Sequence, residues 1–115
     1  MHALSDSIYG AIANGDIGTH FPSNDKNLNI HSGQILSHAY QMLEASDYRI
    51  SNVDITIVLE KPHLQDFISQ MRENISRLIS LDIDRISIKS STSQKIGLIG
   101  NNQAIACYSS ILVKK

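Results

Sequence analysis

The sequence holds a single cysteine, Cys107, which excludes a disulfide framework and fits a reducing compartment. No run of eighteen apolar residues occurs, so no segment reads as a membrane span. No charged stretch leads into an apolar core at the start of the chain, so no signal peptide is visible. Neither sign of charge is in excess. Ten basic residues stand against eleven acidic ones, for a net charge of −1, which argues against nucleic-acid or membrane-surface partners, since both select a basic face. Internal repeats, low-complexity tracts and linkers are also missing. These absences predict a cytoplasmic globular protein.

What is present suits that class. The 115 residues are enough for one domain, 1–115, with a modest single core. Apolar residues at 42% and charged residues at 18% exclude a disordered or fibrous chain. Residues 2–14 place Leu4, Ile8, Ala11 and Ile12 on one helical face, with Gly15 as the expected helix stop. This helix begins at residue 2 with no lead-in, which predicts that the natural chain starts upstream.

Residues 15–31 read as a polar loop, and Ser32 as the cap of a second helix striped by Ile35, Leu36, Ala39, Met42 and Leu43. NVDITIVLE, residues 52–60, alternates as a half-buried strand does and ends before Pro62. A third helix carries Leu64, Phe67, Ile68, Met71, Ile75, Leu78 and Ile79. Residues 85–89 and 105–113 read as two further strands. Three helices and three strands in this order predict a small α+β domain, its mixed sheet covered by helices on one face.

Residues 15–25, GDIGTHFPSND, ask for more than a helix stop. One glycine suffices for a stop, which leaves Asp16, Gly18 and Phe21-Pro22 open to two readings. They form either an Asx-type turn or a loop shaped around a ligand.

Three ordered blocks then point to one family. HALSDSIYGAIANGDIGTHFP, residues 2–22, resembles a family block written HALTD, then GDIG, then FPD. NVDITIVLEKPHL, residues 52–64, is similar to an NVD-x-TI strand ending in Pro-Lys. ISIKSSTSQKIGLIG and AIAC, residues 86–100 and 104–107, resemble VNVKATTTEKLGF-x-G and GIAC. The family is that of the 2-C-methyl-D-erythritol 2,4-cyclodiphosphate synthases of non-mevalonate isoprenoid synthesis, and the likeness covers nearly the whole chain.

The resemblance implies a homotrimer with active sites between subunits. Its substrate would be a cytidine-diphosphate-linked methylerythritol 2-phosphate, and CMP would be released. It implies two metals, a zinc ion and a second divalent cation, Mg²⁺ or Mn²⁺. His2 matches one family zinc ligand; the other two, an Asp-x-His pair, have no counterpart in this sequence. Asp16 and Gly18 match the ribose loop, and Phe21 and Pro22 the wall beside the methylerythritol. Ser23 replaces a substrate-binding aspartate, with Asp25 keeping a carboxylate nearby.

Leu59, Pro62, His63, Leu64 and Gln65 match the cytosine pocket, which the family reads largely through backbone groups. His63 stands for the usual lysine there. Read locally, the same segment is equally a strand end with a proline break. Ser91 and Thr92 match the hydroxyl pair at the diphosphate, and Lys95 of the same run is retained.

The resemblance implies Thr92 and Gln94 as the catalytic residues. Gln94 replaces the glutamate that holds the second cation, and Asn101 an arginine of the trimer's central cavity. An amide oxygen lacks the charge that hard cations prefer, so weaker metal binding is expected. His20, His31 and His38 fall outside the family's ligand positions and read as surface residues, and Cys107 as buried core. The substitutions leave a second expectation beside the enzyme, a non-catalytic trimeric module that still binds cytidine nucleotides, or an inactive fragment.

Overall fold

The computed structural model describes residues 1–115. Three long helices carry the packing: α1 (His2–Ala11), α3 (Ser32–Ala45) and α4 (Gln65–Leu78). Two single-turn helices, α2 (Ile17–His20) and α5 (Gly97–Gly100), sit in the loops. The strands β1 (Arg49–Val58), β2 (Ile86–Ser91) and β3 (Ala106–Lys114) make one mixed sheet in the order β2-β1-β3. β2 runs parallel to β1 and β3 antiparallel to it. The α+β class with helices on one face is therefore the observed fold.

The strand pattern explains the single covered face. Val53 and Ile55 of β1 pair in register with Ile86 and Ile88 of β2, and all four are buried. Alternation sends every second side chain to the same side. That side meets Leu4, Ile8 and Tyr9 of α1, Leu36, Ala39 and Leu43 of α3, and Ile75 of α4. Each fully buried Leu or Ile contributes roughly 1.5–3 kcal/mol relative to exposure. The opposite face carries Asp54, Thr56, Lys89, Tyr108 and Leu112, with an Asp54–Lys89 ion pair at 2.5 Å. Tyr108 and Leu112 are two-thirds exposed there.

The helix ends depart from the sequence reading. α1 stops at Ala11, before Gly15. Ala13 takes the left-handed position at φ 54°, while its N–H bonds Gly10 O at 3.1 Å and the Asn14 N–H bonds Tyr9 O at 2.9 Å. This pair of bonds satisfies two of the orphan carbonyls at the helix end. α3 closes in the same way through Asp47, and α4 is followed by Ser80, both with positive φ. Glycine is therefore not what ends these helices. At the start of α3 the cap is His31, whose Nδ1 accepts the Gly33 N–H at 3.0 Å. Ser32 is instead the first helical residue and donates to the Met1 sulfur.

β1 begins at Arg49, earlier than its alternation predicts, because a bulge between Ile50 and Asn52 breaks the period. Cys107 is exposed, which corrects its expected place in the core. It lies near the start of β3, an edge strand with a neighbour on one side only.

Candidate nucleotide-binding site

The residues singled out by the sequence fall into two groups, and no hydrogen bond joins them. The first group lies between α1 and α3. Asp16 caps α2, its Oδ1 accepting the Thr19 N–H and the Thr19 hydroxyl, both at 2.9 Å. Those two bonds, the backbone one first, hold the Asp16 carboxyl below the usual aspartate range. The residue is exposed and both bonds fall on one oxygen, so the carboxylate keeps capacity to accept from a ligand hydroxyl.

Gly15 is required by the backbone. Its φ is +77°, and a Cβ there would meet the Thr19 hydroxyl at 2.9 Å. Gly18 is different: its φ is not positive, and an added Cβ would only touch Asp16 Oδ1 at 3.5 Å. The fold does not need a glycine at 18.

Asp6 escaped the sequence reading. Its Oδ1 accepts the Ile17 N–H at 2.9 Å and so ties the Asp16 loop back to α1. The signal was the Asp of the HALSD block, one turn after His2.

His20 and His38 are half-buried rather than on the open surface, which corrects their expected placement; His31 is exposed. Tyr9 gathers them. His20 stacks on the Tyr9 ring at 4.3 Å, and the Tyr9 hydroxyl shares a 2.7 Å hydrogen bond with His38 Nδ1. Burial, with the Asp6 charge adding to it, pushes the Tyr9 hydroxyl above its ordinary pKa. Phe21 stands edge-on to His38 at 5.2 Å, so the expected substrate wall is braced from behind. Ser23 and Asp25 are exposed beyond it, and Asp25 opens a 3₁₀ turn capped by Asn24.

The second group sits at the carboxyl ends of the parallel strands β1 and β2, the usual ligand edge of such a pair. Leu59, Glu60, Pro62, His63, Ser90, Ser91 and Thr92 line one cavity of ≈ 140 Å³. The Leu59 N–H bonds Ser91 O at 3.0 Å, locking the two segments together. Lys61-Pro62 is a cis peptide. Leu64 and Gln65 stand outside the cavity at the start of α4.

The Thr92 hydroxyl oxygen accepts the Gln94 N–H at 3.3 Å, which leaves its hydrogen free to donate to an anion. Gln94 and Lys95 are both left-handed, at φ 56° and 63°. Two contacts hold them. Glu60 Oε1 accepts the Lys95 N–H at 2.9 Å, and Gly100 packs against the Lys95 backbone so closely that a Cβ would lie 2.2 Å from its carbonyl carbon. Glu60 too was missed, because nothing in the local sequence announces a contact thirty-five residues away.

The metal expectation meets a poor donor set. His2 is exposed at the first turn of α1, and no three His, Cys, Asp or Glu side chains converge anywhere in the chain. A catalytic zinc takes about three protein ligands, so His2 alone does not fit it. Gln94 offers a neutral amide where a hard cation prefers a carboxylate.

Known proteins resemble this chain along nearly its whole length. The 2-C-methyl-D-erythritol 2,4-cyclodiphosphate synthase of Brachyspira hyodysenteriae is 48% identical over 116 residues, which cover 100% of this chain and 73% of that protein. The bifunctional IspDF of Campylobacter jejuni matches with a TM-score of 0.95 at 37% identity, covering 98% of this chain and 31% of that one. The IspF of Plasmodium falciparum, solved as a CDP complex, matches with a TM-score of 0.87 at 36% identity, covering 97% of this chain and 67% of that one. The family model described as YgbB matches residues 1–114. The chain therefore belongs to the YgbB family, that of the 2-C-methyl-D-erythritol 2,4-cyclodiphosphate synthases.

Proposed function

We propose that this chain binds the cytidine-diphosphate-linked methylerythritol 2-phosphate and closes it to the cyclic diphosphate. An oxygen of the 2-phosphate forms a bond to the β-phosphorus. The bond from that phosphorus to the oxygen bridging to the α-phosphate breaks, and CMP leaves with the electron pair. This is a phosphorus–oxygen lyase reaction. Its nucleophile is already anionic, so the protein must supply positioning and charge neutralisation rather than a strong base.

The observation that carries this reading is the ≈ 140 Å³ cavity joining the base-reading segment to the hydroxyl loop. Leu59, Pro62 and His63 border the base, with Leu64 and Gln65 beside them, and Ser91 and Thr92 donate to the diphosphate. The Asp16 carboxylate accepts from the ribose, and Gly18, which the fold leaves free, lets the sugar approach. Phe21 forms the wall of the polyol site, with Ser23 and Asp25 at its rim.

We further propose a homotrimer, because the Asp16 loop and the Ser91 loop are separate in one chain and a neighbour would bring them together. The open sheet face with Tyr108 and Leu112 suits such a contact. No helix is long and apolar enough to cross a membrane, in keeping with a cytoplasmic enzyme.

The test is CMP release from that substrate by the purified protein, with zinc and then manganese supplied. Release above a blank is expected, and its absence alongside undetectable CDP binding overturns the reading. A second reading, a module that binds cytidine nucleotides without turnover, is favoured by lone His2 and neutral Gln94. CDP binding without CMP release would select it.

A further inference from the structure

We propose that Glu60 is a positioning residue that clamps the phosphate-binding loop to the base pocket, so that a diphosphate and a cytosine are bound as one unit. The inference rests on the nucleotide site proposed above and deepens it. Glu60 lines the base cavity with Leu59, Pro62 and His63, and its Oε1 reaches the Lys95 N–H at 2.9 Å. That N–H belongs to the second of two successive left-handed residues, Gln94 and Lys95. Residues with a side chain rarely adopt this conformation, and it persists only where the surroundings over-determine it.

Gly100 supports the Lys95 backbone from one side by close packing, and Glu60 fixes its N–H. Inside the loop, the Gln94 N–H reaches Thr92 Oγ1 at only 3.3 Å, and the Ser93 hydroxyl donates to Ile96 O at 2.8 Å. None of these local bonds ties the loop to the base segment; the Leu59–Ser91 backbone bond joins the two where the strands end, and Glu60 alone reaches the Gln94-Lys95 turn.

The charge on Glu60 argues that its value lies in the hydrogen bond. A carboxylate bordering a diphosphate site repels the ligand, which makes it a poor direct contact. An acceptor for a backbone N–H is what the geometry uses. A glutamine keeps that acceptor and removes the repulsion.

Three measurements on the full chain test the proposal. Calorimetry of Glu60→Ala with CDP is expected to show about tenfold weaker binding, the usual scale for losing one hydrogen bond, with cytidine affinity unchanged within twofold. Glu60→Gln is expected to bind CDP at least as tightly as the unsubstituted protein. Amide hydrogen exchange is expected to show Lys95 N–H protection lost in Glu60→Ala and kept in Glu60→Gln. Equal losses for CDP and cytidine, unchanged CDP affinity in Glu60→Ala, or failure of Glu60→Gln to restore it, overturns the proposal. Lys95 protection that ignores Glu60 also overturns it. If the unsubstituted protein binds no CDP while Lys95 protection still depends on Glu60, the nucleotide reading falls and the clamp stands.

Discussion

The Asp16 loop and the Ser91 loop each present oxygen and hydroxyl groups to solvent, yet they keep their shapes by opposite means. The Asp16 loop is mostly self-supporting. Its carboxylate caps its own short helix through Thr19, and its outside anchors are Asp6 and Tyr9 of α1 and His38 of α3. The Ser91 loop holds two strained residues, supported within the loop by Gly100 and from thirty-five residues away by Glu60. A locally built loop keeps its form wherever its own sequence is kept. A remotely supported loop fails when a distant residue changes, and for that reason it can also report on its neighbour.

Three substitutions and one titration test this contrast. The largest effect is expected from Gly100→Ala, whose new Cβ would lie 2.2 Å from the Lys95 backbone. Neither partner is a flexible side chain, so overpacking is expected to cost about 3 kcal/mol, seen as a lowered melting temperature with disturbed Gln94 and Lys95 amides. An unchanged melting temperature would contradict the close packing. Gly15→Ala meets only a movable Thr19 side chain but must hold φ +77°, so a loss of about 1–2 kcal/mol is expected.

Gly18→Ala is expected to leave the melting temperature unmoved, since its Cβ has room, while lowering CDP affinity. If both stay unchanged, the ribose role of this loop fails. The smallest effect is acidic. Hydrogen bonds from Thr19 lower the Asp16 pKa on folding, so its contribution is present above the unfolded aspartate value and is lost only as pH falls through the lower folded value. The Thr19 amide shift, followed by NMR, should therefore titrate below the ordinary aspartate range. A titration at the ordinary value would show that the cap is not formed.

The sequence made the long periodic elements legible and left the contacts between them hidden. The stripes of α3 and α4 and the alternation of β1 follow from burial on one face, which is a local pattern. The start of β1 was lost because the bulge near Ser51 shifts alternation out of phase. α2 and α5 are single turns, too short to show a period, although Asp16 and Thr19 at their spacing are a cap signal. Cys107 was misplaced because an apolar pattern cannot say which strand lies at an edge. His20 and His38 converge on Tyr9 only in three dimensions. Of the candidate site, the residue types were readable, whereas Asp6 and Glu60, which hold the two loops, were not.

The pairing of β1 with β3 carries a consequence for how the chain is made. It joins Val58 to Ala106 and Arg49 to Lys114, partners far apart along the chain, whereas α1 meets α3 much nearer in sequence. Contacts that close long loops form late, so during synthesis the helices can collapse together while one edge of β1 still waits for β3. An open apolar strand of this kind attracts other chains. Pulse-labelled hydrogen exchange during refolding should find α1 and α3 amides protected before those of β3, and simultaneous protection would remove the idea. If the order holds, crowding and slow translation are the conditions under which this protein would be lost to aggregation, well before any question of its chemistry arises.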